Sequence, residues 1–202
     1  NDDTTGASDF DFLTPDTAIR IAEEALSKKF GGLAAPMPSY INRVYEFEAL
    51  DKTRYVAKFY RPGRWDVAAL QDEHYFALEC ADAELPVAPP LVLSNGKTLG
   101  FSDGVHFAIY AKRSGRQFEI NNDDDYKRVG RLVGRLHNVG ARKRASARLT
   151  LSPAKSTADD VAHLLDNNFV SPSMSREFEL TTAEIVSLVE DLFDESEFIR
   201  VH

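Results

Sequence analysis

One short stretch constrains the fold of this chain more than any other. Residues 54–60, Arg-Tyr-Val-Ala-Lys-Phe-Tyr, are typical of a strand with apolar residues on both faces. Side chains two apart in a strand share a face, so Lys58 lies with Val56 and Tyr60. If both faces are covered, Lys58 needs an anionic partner, because an unpaired buried charge is very costly. The alternative is an edge strand, on which the lysine stem lies along apolar surface and the amine reaches water.

A glutamate in the next predicted helix can serve as that partner. Asp66 is a suitable N-cap for a helix over residues 67–83. On a helical wheel Glu73 falls within the apolar stripe. That stripe consists of Ala69, Phe76, Ala77 and Cys80, whereas we expect Gln71, Asp72, Glu79 and Asp82 to face solvent. Glu73 is either a partly exposed residue at the flank of the stripe or the partner of Lys58. The second arrangement positions nucleotide phosphates in protein kinases.

Strand signals fill the first half of the chain, and helix signals fill the second. Besides the two elements above, we expect a helix from Thr14 to about Phe30, ended by Gly31-Gly32, and strands over residues 39–50, 91–93 and 106–110. After a linker at 112–115 we expect a helix behind the acidic cap 123–125, a second over 159–165, a third opening at the capping box 181–184, and a strand over 198–201. These elements predict an α+β fold with a boundary near Ala111.

Composition narrows the possible partners. Hydrophobic residues make up 43% of the 202 residues, which is enough for a packed core, and the net charge of −8 gives no electrostatic support for a nucleic-acid partner. No apolar stretch approaches the roughly 20 residues that span a bilayer, so we expect no membrane partner. Cys80 is the single cysteine, which fits a cytoplasmic location. We expect residues 1–11 to form a flexible tail and the basic run 142–148 to be solvated surface.

Four segments in a fixed order resemble the bacterial stress response kinase A family. They are Ser39 to Tyr45, Val56 to Trp65, Glu73 to Leu78 and Pro86 to Pro90, and the similarity runs from Phe12 to His202. That family resembles aminoglycoside phosphotransferase and choline kinase. The resemblance implies a protein-kinase-like bilobal fold. Residues 12–111 would form an antiparallel-sheet N-lobe with one lysine-pairing helix, and residues 112–202 a hinge and the first, mainly helical part of a C-lobe.

The resemblance also implies a function and a set of site residues. The implied activity is phosphorylation of serine or threonine in proteins, with ATP and Mg²⁺ as cofactors. Lys58 would hold phosphates, Glu73 would orient Lys58, and Val56 would form the roof over the adenine. The phosphate-covering loop would contain Ser39, Asn42 and Arg43, and the hinge would be Tyr110, Ala111 and Lys112. This loop lacks the usual glycines, although its hydroxyl, amide and guanidinium groups can all bind phosphate oxygens.

His202 marks the other end of the implied site. By the resemblance it opens a catalytic loop of the form His-Gly-Asp, and we expect the catalytic aspartate and the magnesium ligands to follow it. The chain ends at His202, so we expect the 202-residue chain alone to be inactive. Two alternatives stay open. One is a kinase of small-molecule alcohols such as aminoglycosides or choline, and the other is a non-catalytic fragment that binds nucleotide or a partner protein.

Overall fold

The computed structural model describes residues 10, 12–115, 118–193 and 197–201. Among these residues, five strands and two helices come first and three helices follow. The sequence predicts this division, although it predicts only four strands before the helical part. The elements are α1 (Pro15–Leu26), β1 (Phe30–Met37), β2 (Arg43–Ala49), β3 (Arg54–Phe59), α2 (Val67–Asp82), β4 (Gly100–Ser102), β5 (Val105–Ala111), α3 (Asp123–Gly140), α4 (Ala158–Asp166) and α5 (Ser175–Glu190). A short π-helical turn, Pro153–Thr157, leads into α4. The α+β class is therefore confirmed.

The five strands form one antiparallel sheet in the order β1-β2-β3-β5-β4. Strand β3 lies in the middle, between β2 and β5, so the edge-strand alternative for Lys58 is wrong. Lys58 pairs in register with Val44 of β2 and Ala108 of β5. Directly opposite residues in a sheet share a face, which places these three side chains in one row.

The two faces of the sheet bury different side chains. One face and α1 enclose the larger core, in which aromatic rings from β1, β2, β3 and β5 contact one another. On the other face, Leu70 of α2 packs with Ala108 and Tyr60. Helix α2 begins as predicted, since the Asp66 carboxylate accepts a hydrogen bond of 2.7 Å from the Ala69 amide. Lys58 thus lies on the face that α2 covers.

The first helix is shorter than the sequence predicts. It ends at Leu26, because Ser27 adopts a left-handed conformation with φ of 51°. The chain then enters β1, a strand that the sequence pattern does not predict. Gly31-Gly32 does not stop a helix but lies inside this strand, where the pairing register shifts between Phe30 and Ala34 and Gly32 has φ of 79°. A bulge of this kind favours glycine, so its sequence signal resembles that of a helix end.

The predicted strand over residues 91–93 is also wrong. Only an isolated bridge from Pro90 to Tyr110 occurs near there, and the edge strand β4 lies further along, at Gly100–Ser102. A Cβ at Gly100 would overlap the ring of Phe107, so glycine lets this edge strand cross the ring. Strand β2 also begins four residues later than predicted, at Arg43 rather than at 39.

Two predictions near the end of the chain are wrong as well. Helix α5 begins at Ser175, so the predicted capping box lies within the helix, where the Thr182 hydroxyl donates to the carbonyl of Phe178 at 2.7 Å. Hydroxyls that bond back along a helix in this way do not cap it. Residues 198–201 form no strand. This segment instead contacts the end of α3, where the Arg200 amide donates to the Gly140 carbonyl at 3.3 Å.

Candidate functional site

Lys58 and Glu73 form the ion pair that the sequence predicts. The Lys58 Nζ atom lies 2.8 Å from Glu73 Oε1, and the two side chains are 27% and 30% exposed. Strand β3 and helix α2 hold them at fixed positions on the α2-covered face of the sheet. A lysine ammonium has three donors, and Glu73 uses one of them. The pair is therefore reachable from solvent and retains donors for an anion.

Further groups surround the Glu73 carboxylate. The Tyr60 hydroxyl donates to Oε1 at 3.1 Å, and Arg148 Nη1 lies 3.7 Å from Oε2. Burial alone would raise the pKa of Glu73. The hydrogen bond and charge of Lys58, the Tyr60 hydroxyl and the charge of Arg148 outweigh burial, so the pKa of Glu73 is lowered. Glu73 is thus an anion whose carboxylate is approached by side chains from both halves of the chain.

A buried polar network lies behind the ion pair. The Tyr60 hydroxyl is 2.9 Å from His74 Nε2 and 3.3 Å from the Tyr110 hydroxyl, and His74 Nδ1 is 2.8 Å from the Thr98 hydroxyl. Tyr60 has one proton, which it donates to the carboxylate. We therefore assign a proton to His74 Nε2, which donates to Tyr60, while Nδ1 accepts from Thr98.

Burial sets the protonation of this network. It lowers the pKa of His74 to about 4, an effect that the nearby Glu73 charge only partly offsets. Burial also raises the pKa of Tyr110 to about 12 and raises that of Tyr60 further. All three side chains are consequently neutral near pH 7, and Lys58, Glu73 and Arg148 carry the charges of the site.

Of the predicted adenine-contacting residues, Val56, Tyr110 and Lys112 lie further along the same face. Ala111 pairs with Tyr55, so its side chain points to the opposite face. Val56 pairs in register with Tyr110 on one side and Glu46 on the other. Lys112, just past β5, donates through Nζ to Glu46 Oε2 at 2.7 Å, and its amide donates to the Arg54 carbonyl at 2.9 Å. Glu46 is not among the predicted site residues, although its position in β2 places it beside Val56 and Lys112.

The predicted phosphate-covering loop lies between β1 and β2. Ser39 is exposed, and Asn42 accepts a hydrogen bond of 3.3 Å from the Arg61 amide. The Arg43 guanidinium stacks over the Phe10 ring, 5.3 Å from its centroid. Arg43 lies one residue before Val44, so its side chain points to the sheet face opposite Lys58. The structure brings Ser39 and Asn42 to the start of β2 but does not bring the Arg43 side chain to Lys58.

His202 lies outside the described residues, and Arg200, two residues before it, makes a contact that the sequence does not predict. The Arg200 guanidinium forms an ion pair with Glu79, donates to the Val139 carbonyl at 3.2 Å and stacks over Phe76. Glu79 also pairs with Lys143, and Asp72 accepts a hydrogen bond from the Ala147 amide at 3.1 Å. The prediction that Asp72 and Glu79 face solvent is therefore wrong, because the second half of the chain covers this side of α2.

The expectation for the basic run holds only in part. Lys143 is exposed as predicted, although it pairs with Glu79, whereas Arg148 is partly buried and lies beside Glu73. The signal that could have shown this is charge complementarity between residues 142–148 and the acidic side of the α2 wheel.

Most of the chain matches a known protein family. Residues 34–193 match the phosphotransferase enzyme family, and this range contains Lys58, Glu73 and the whole buried network. The chain belongs to this family. Curated relatives named stress response kinase A support the resemblance drawn from the sequence.

Two curated relatives are representative. Stress response kinase A of Salmonella choleraesuis strain SC-B67 is 46% identical over 134 residues, covering 66% of this chain and 40% of that protein. Stress response kinase A of Escherichia coli strain K12 is 36% identical over 180 residues, covering 89% of this chain and 54% of that protein. The chain therefore spans about half the length of the curated relatives it matches.

Solved structures confirm the kinase-like fold. The amicoumacin kinase hAmiN, in complex with AMP-PNP, Ca²⁺ and Ami, aligns with a TM-score of 0.67 at 15% identity, covering 88% of this chain and 54% of that chain. Spectinomycin phosphotransferase, in complex with ADP and spectinomycin, aligns with a TM-score of 0.59 at 12% identity, covering 94% and 62%. At these identities the likeness establishes the fold alone.

Neither a membrane-spanning helix nor a cluster of metal ligands occurs among the described residues. No helix within residues 12–115, 118–193 and 197–201 combines the length and apolarity needed to cross a membrane. In the same part of the chain, no three His, Cys, Asp or Glu side chains lie close enough together to hold a metal ion.

Proposed function

We propose that this chain is the nucleotide-gripping part of an ATP-dependent phosphotransferase. The observation that carries the proposal is the Lys58–Glu73 pair, which lies on the α2-covered face of the sheet in a chain of the phosphotransferase enzyme family. Glu73 fixes the Lys58 ammonium, and the remaining donors of that ammonium bind nucleotide phosphates. Nucleotide groups in two solved relatives of the same fold, AMP-PNP and ADP, support this assignment.

Other residues complete the proposed nucleotide site. Val56 forms the roof of the adenine pocket, and the backbone of Tyr110, Ala111 and Lys112 contacts the adenine edge. Ser39 and Asn42 cover the phosphates, whereas the Arg43 side chain stacks on Phe10 and takes no part. ATP binds as its magnesium complex, with metal ligands outside the described residues.

The acceptor of the whole protein is proposed to be a serine or threonine hydroxyl in a protein. Identities of 36% to 46% to proteins named stress response kinase A support this choice, as does a 46% identical protein of Salmonella typhimurium named serine/threonine protein kinase RdoA. In the whole protein His202 opens the catalytic loop. A small-molecule hydroxyl is the second candidate, because solved relatives of the fold include an aminopropanol kinase.

Nucleotide binding by this chain tests the first part of the proposal. Trp65 is the only tryptophan and lies beside the site, so its fluorescence reports ATP binding alongside calorimetry. We expect Lys58→Met to weaken ATP binding by about tenfold or more, because it removes a charge-assisted hydrogen bond to phosphate. The matched control is Lys52→Met, which removes an exposed lysine in the turn before β3 and should leave affinity unchanged. Equal loss in both variants, or no ATP binding by the unmodified chain, would reject the nucleotide site.

The acceptor is tested with the whole protein. Radiolabelled ATP is offered with a bacterial protein extract in one arm and with amino alcohols and aminoglycosides in the other. Label in proteins at serine or threonine supports the protein-kinase proposal. Label found only in small molecules supports the second candidate, and label in neither arm leaves the non-catalytic alternative.

A further inference from the structure

Arg148 is packed against other side chains and is not surrounded by solvent, as an ordinary surface arginine would be. It lies in the segment between α3 and the π-helical turn, and its guanidinium stacks over the Trp65 ring, 4.1 Å from the centroid. Its side chain is 32% exposed overall, yet Nη1 is buried and has no hydrogen-bond partner among the described residues. A buried donor without a partner is rare in native structures and calls for an explanation.

The explanation lies in how the Glu73 carboxylate is shared. Lys58 and Tyr60 both bind Oε1, and the other oxygen, Oε2, faces Arg148 Nη1 at 3.7 Å. Lys58 of β3 and Tyr60 just after it therefore bind one oxygen, and a residue of the helical half faces the other. Catalytic contacts are often long without substrate and shorten when the site is filled.

The segment that carries Arg148 is anchored along α2 on both sides of this contact. The Asp72 carboxylate accepts from the Ala147 amide at 3.1 Å, and Glu79 pairs with Lys143. Trp65, just before α2, supplies the platform for the guanidinium, and such stacking is a characteristic use of arginine. The segment before Arg148 is thus fixed to α2, and the Arg148 guanidinium lies on Trp65 with Nη1 toward Glu73.

We propose that Arg148 is a positioning residue that orients Glu73 toward Lys58 and so prepares Lys58 for nucleotide phosphates. This inference rests on the proposed nucleotide-binding function. Nucleotide phosphates draw Lys58 away from Glu73. Arg148 holds Oε2 and keeps the carboxylate from following, so the ion pair survives when the site is filled.

The test compares Arg148→Met with Arg148→Lys. Methionine keeps the apolar stem and removes the charge, whereas lysine keeps the charge and loses the planar stacking. Two quantities are measured in the 202-residue chain. One is the Glu73 carboxyl titration, followed by NMR of ¹³C-labelled glutamate and assigned with Glu73→Gln. The other is the ATP dissociation constant from calorimetry. The matched control is Arg176→Met, which removes an exposed arginine of α5.

For Arg148→Met we expect the pKa of Glu73 to rise and ATP binding to weaken by about two- to fivefold, the size expected of a partly exposed ion pair. Arg148→Lys should cause smaller changes in the Glu73 pKa and in ATP affinity, and Arg176→Met should change neither quantity. A merely structural role would not move the Glu73 titration in a variant whose amide spectrum shows it folded. If Arg148→Met does not fold, Arg148→Lys and Trp65→Phe carry the same comparison.

Three outcomes separate this inference from the proposed function. An unchanged Glu73 titration together with weaker ATP binding would mean that Arg148 contacts phosphate directly, and the positioning role would be rejected. An unchanged titration and unchanged affinity would reject it as well. If the unmodified chain binds no ATP, the nucleotide site fails, and a raised pKa of Glu73 in Arg148→Met would still support the contact between Arg148 and Glu73.

Discussion

At the scale of single residues, the neutral network behind Glu73 is as informative as the ion pair itself. Tyr60 connects the carboxylate to His74 and Tyr110 through one hydroxyl. His74 is 1% exposed, so each of its polar contacts replaces a contact with water. Such networks fix side-chain positions when every member is satisfied, and they are costly when one member is removed.

Removing the Tyr60 hydroxyl should therefore destabilise the protein. We expect Tyr60→Phe to lower the free energy of unfolding by about 1–3 kcal/mol, because His74 Nε2 and Glu73 each lose a buried partner. Urea denaturation measures the change. Tyr75→Phe, at an exposed tyrosine of α2, should stay within about 0.5 kcal/mol of the unmodified protein. Equal effects at the two positions would contradict the network.

His74 also makes stability depend on pH in a defined direction. Its folded pKa of about 4 lies below its usual value of 6.5, so between these values the unfolded chain binds the extra proton. Stability is therefore lost as the pH falls through this window. From pH 7 to pH 5 the loss due to His74 should be about 2 kcal/mol. Denaturation at both pH values should show this loss in the unmodified protein and in His137→Gln, but a smaller loss in His74→Gln. The same loss in all three proteins would show that His74 is not responsible.

At the scale of elements, helix α2 is held between the sheet and the second half of the chain. Leu70 packs on the sheet, Glu73 reaches Lys58, and Glu79 reaches Arg200 and Lys143. The segment that contains Arg200 in turn lies close to α3, where a Cβ at Gly140 would overlap the Arg200 carbonyl oxygen. Gly140 thus permits the close approach of two backbones.

Alanine at two glycines of α3 should have opposite effects. Gly140→Ala should destabilise the protein by about 1–3 kcal/mol, since the added methyl displaces the Arg200 segment. Gly134→Ala, where a Cβ meets nothing within 4 Å, should stabilise it by up to about 1 kcal/mol through helix propensity. Thermal and urea denaturation of the two variants measure both changes in stability. Changes of the same sign would contradict the close approach.

At the scale of the whole molecule, burial is uneven. The larger core is formed by α1 and strands of the sheet, whereas neither α4 nor α5 has a buried residue. Exposed apolar side chains are frequent on α5, including Leu180, Ile185 and Leu188. Elements with few buried contacts open at lower free energy than the core strands.

Amide hydrogen exchange should therefore divide the chain into two classes. We expect the amides of β2, β3 and β5 to exchange most slowly, close to the rate of global unfolding, and those of α4 and α5 to exchange at least about tenfold faster. Exchange followed by NMR in the unmodified chain measures both. If α5 amides exchange as slowly as those of β3, the difference in burial does not govern local stability.

The sequence alone determined the parts of this protein that depend on neighbours along the chain. Alternation in β3, the wheel position of Glu73 and the Asp66 cap are local patterns, and together they predicted the Lys58–Glu73 pair and the α+β class. Sequence reasoning failed where two conformations share one local signal. Gly31-Gly32 suits a helix end as well as a bulge in β1, and Thr182 suits a cap as well as a helix interior.

Only the tertiary structure decided the contacts between distant residues. Arg148 and Glu73 are separated by 75 positions, and Arg200 and Glu79 by 121. No periodic pattern of residue types predicts such pairs, because two charged side chains meet only if the folded backbone brings them together. The basic run therefore looked like solvated surface. The folded chain brings it against α2, which gives Glu73 its second cation and covers the side of α2 that sequence reasoning assigned to solvent.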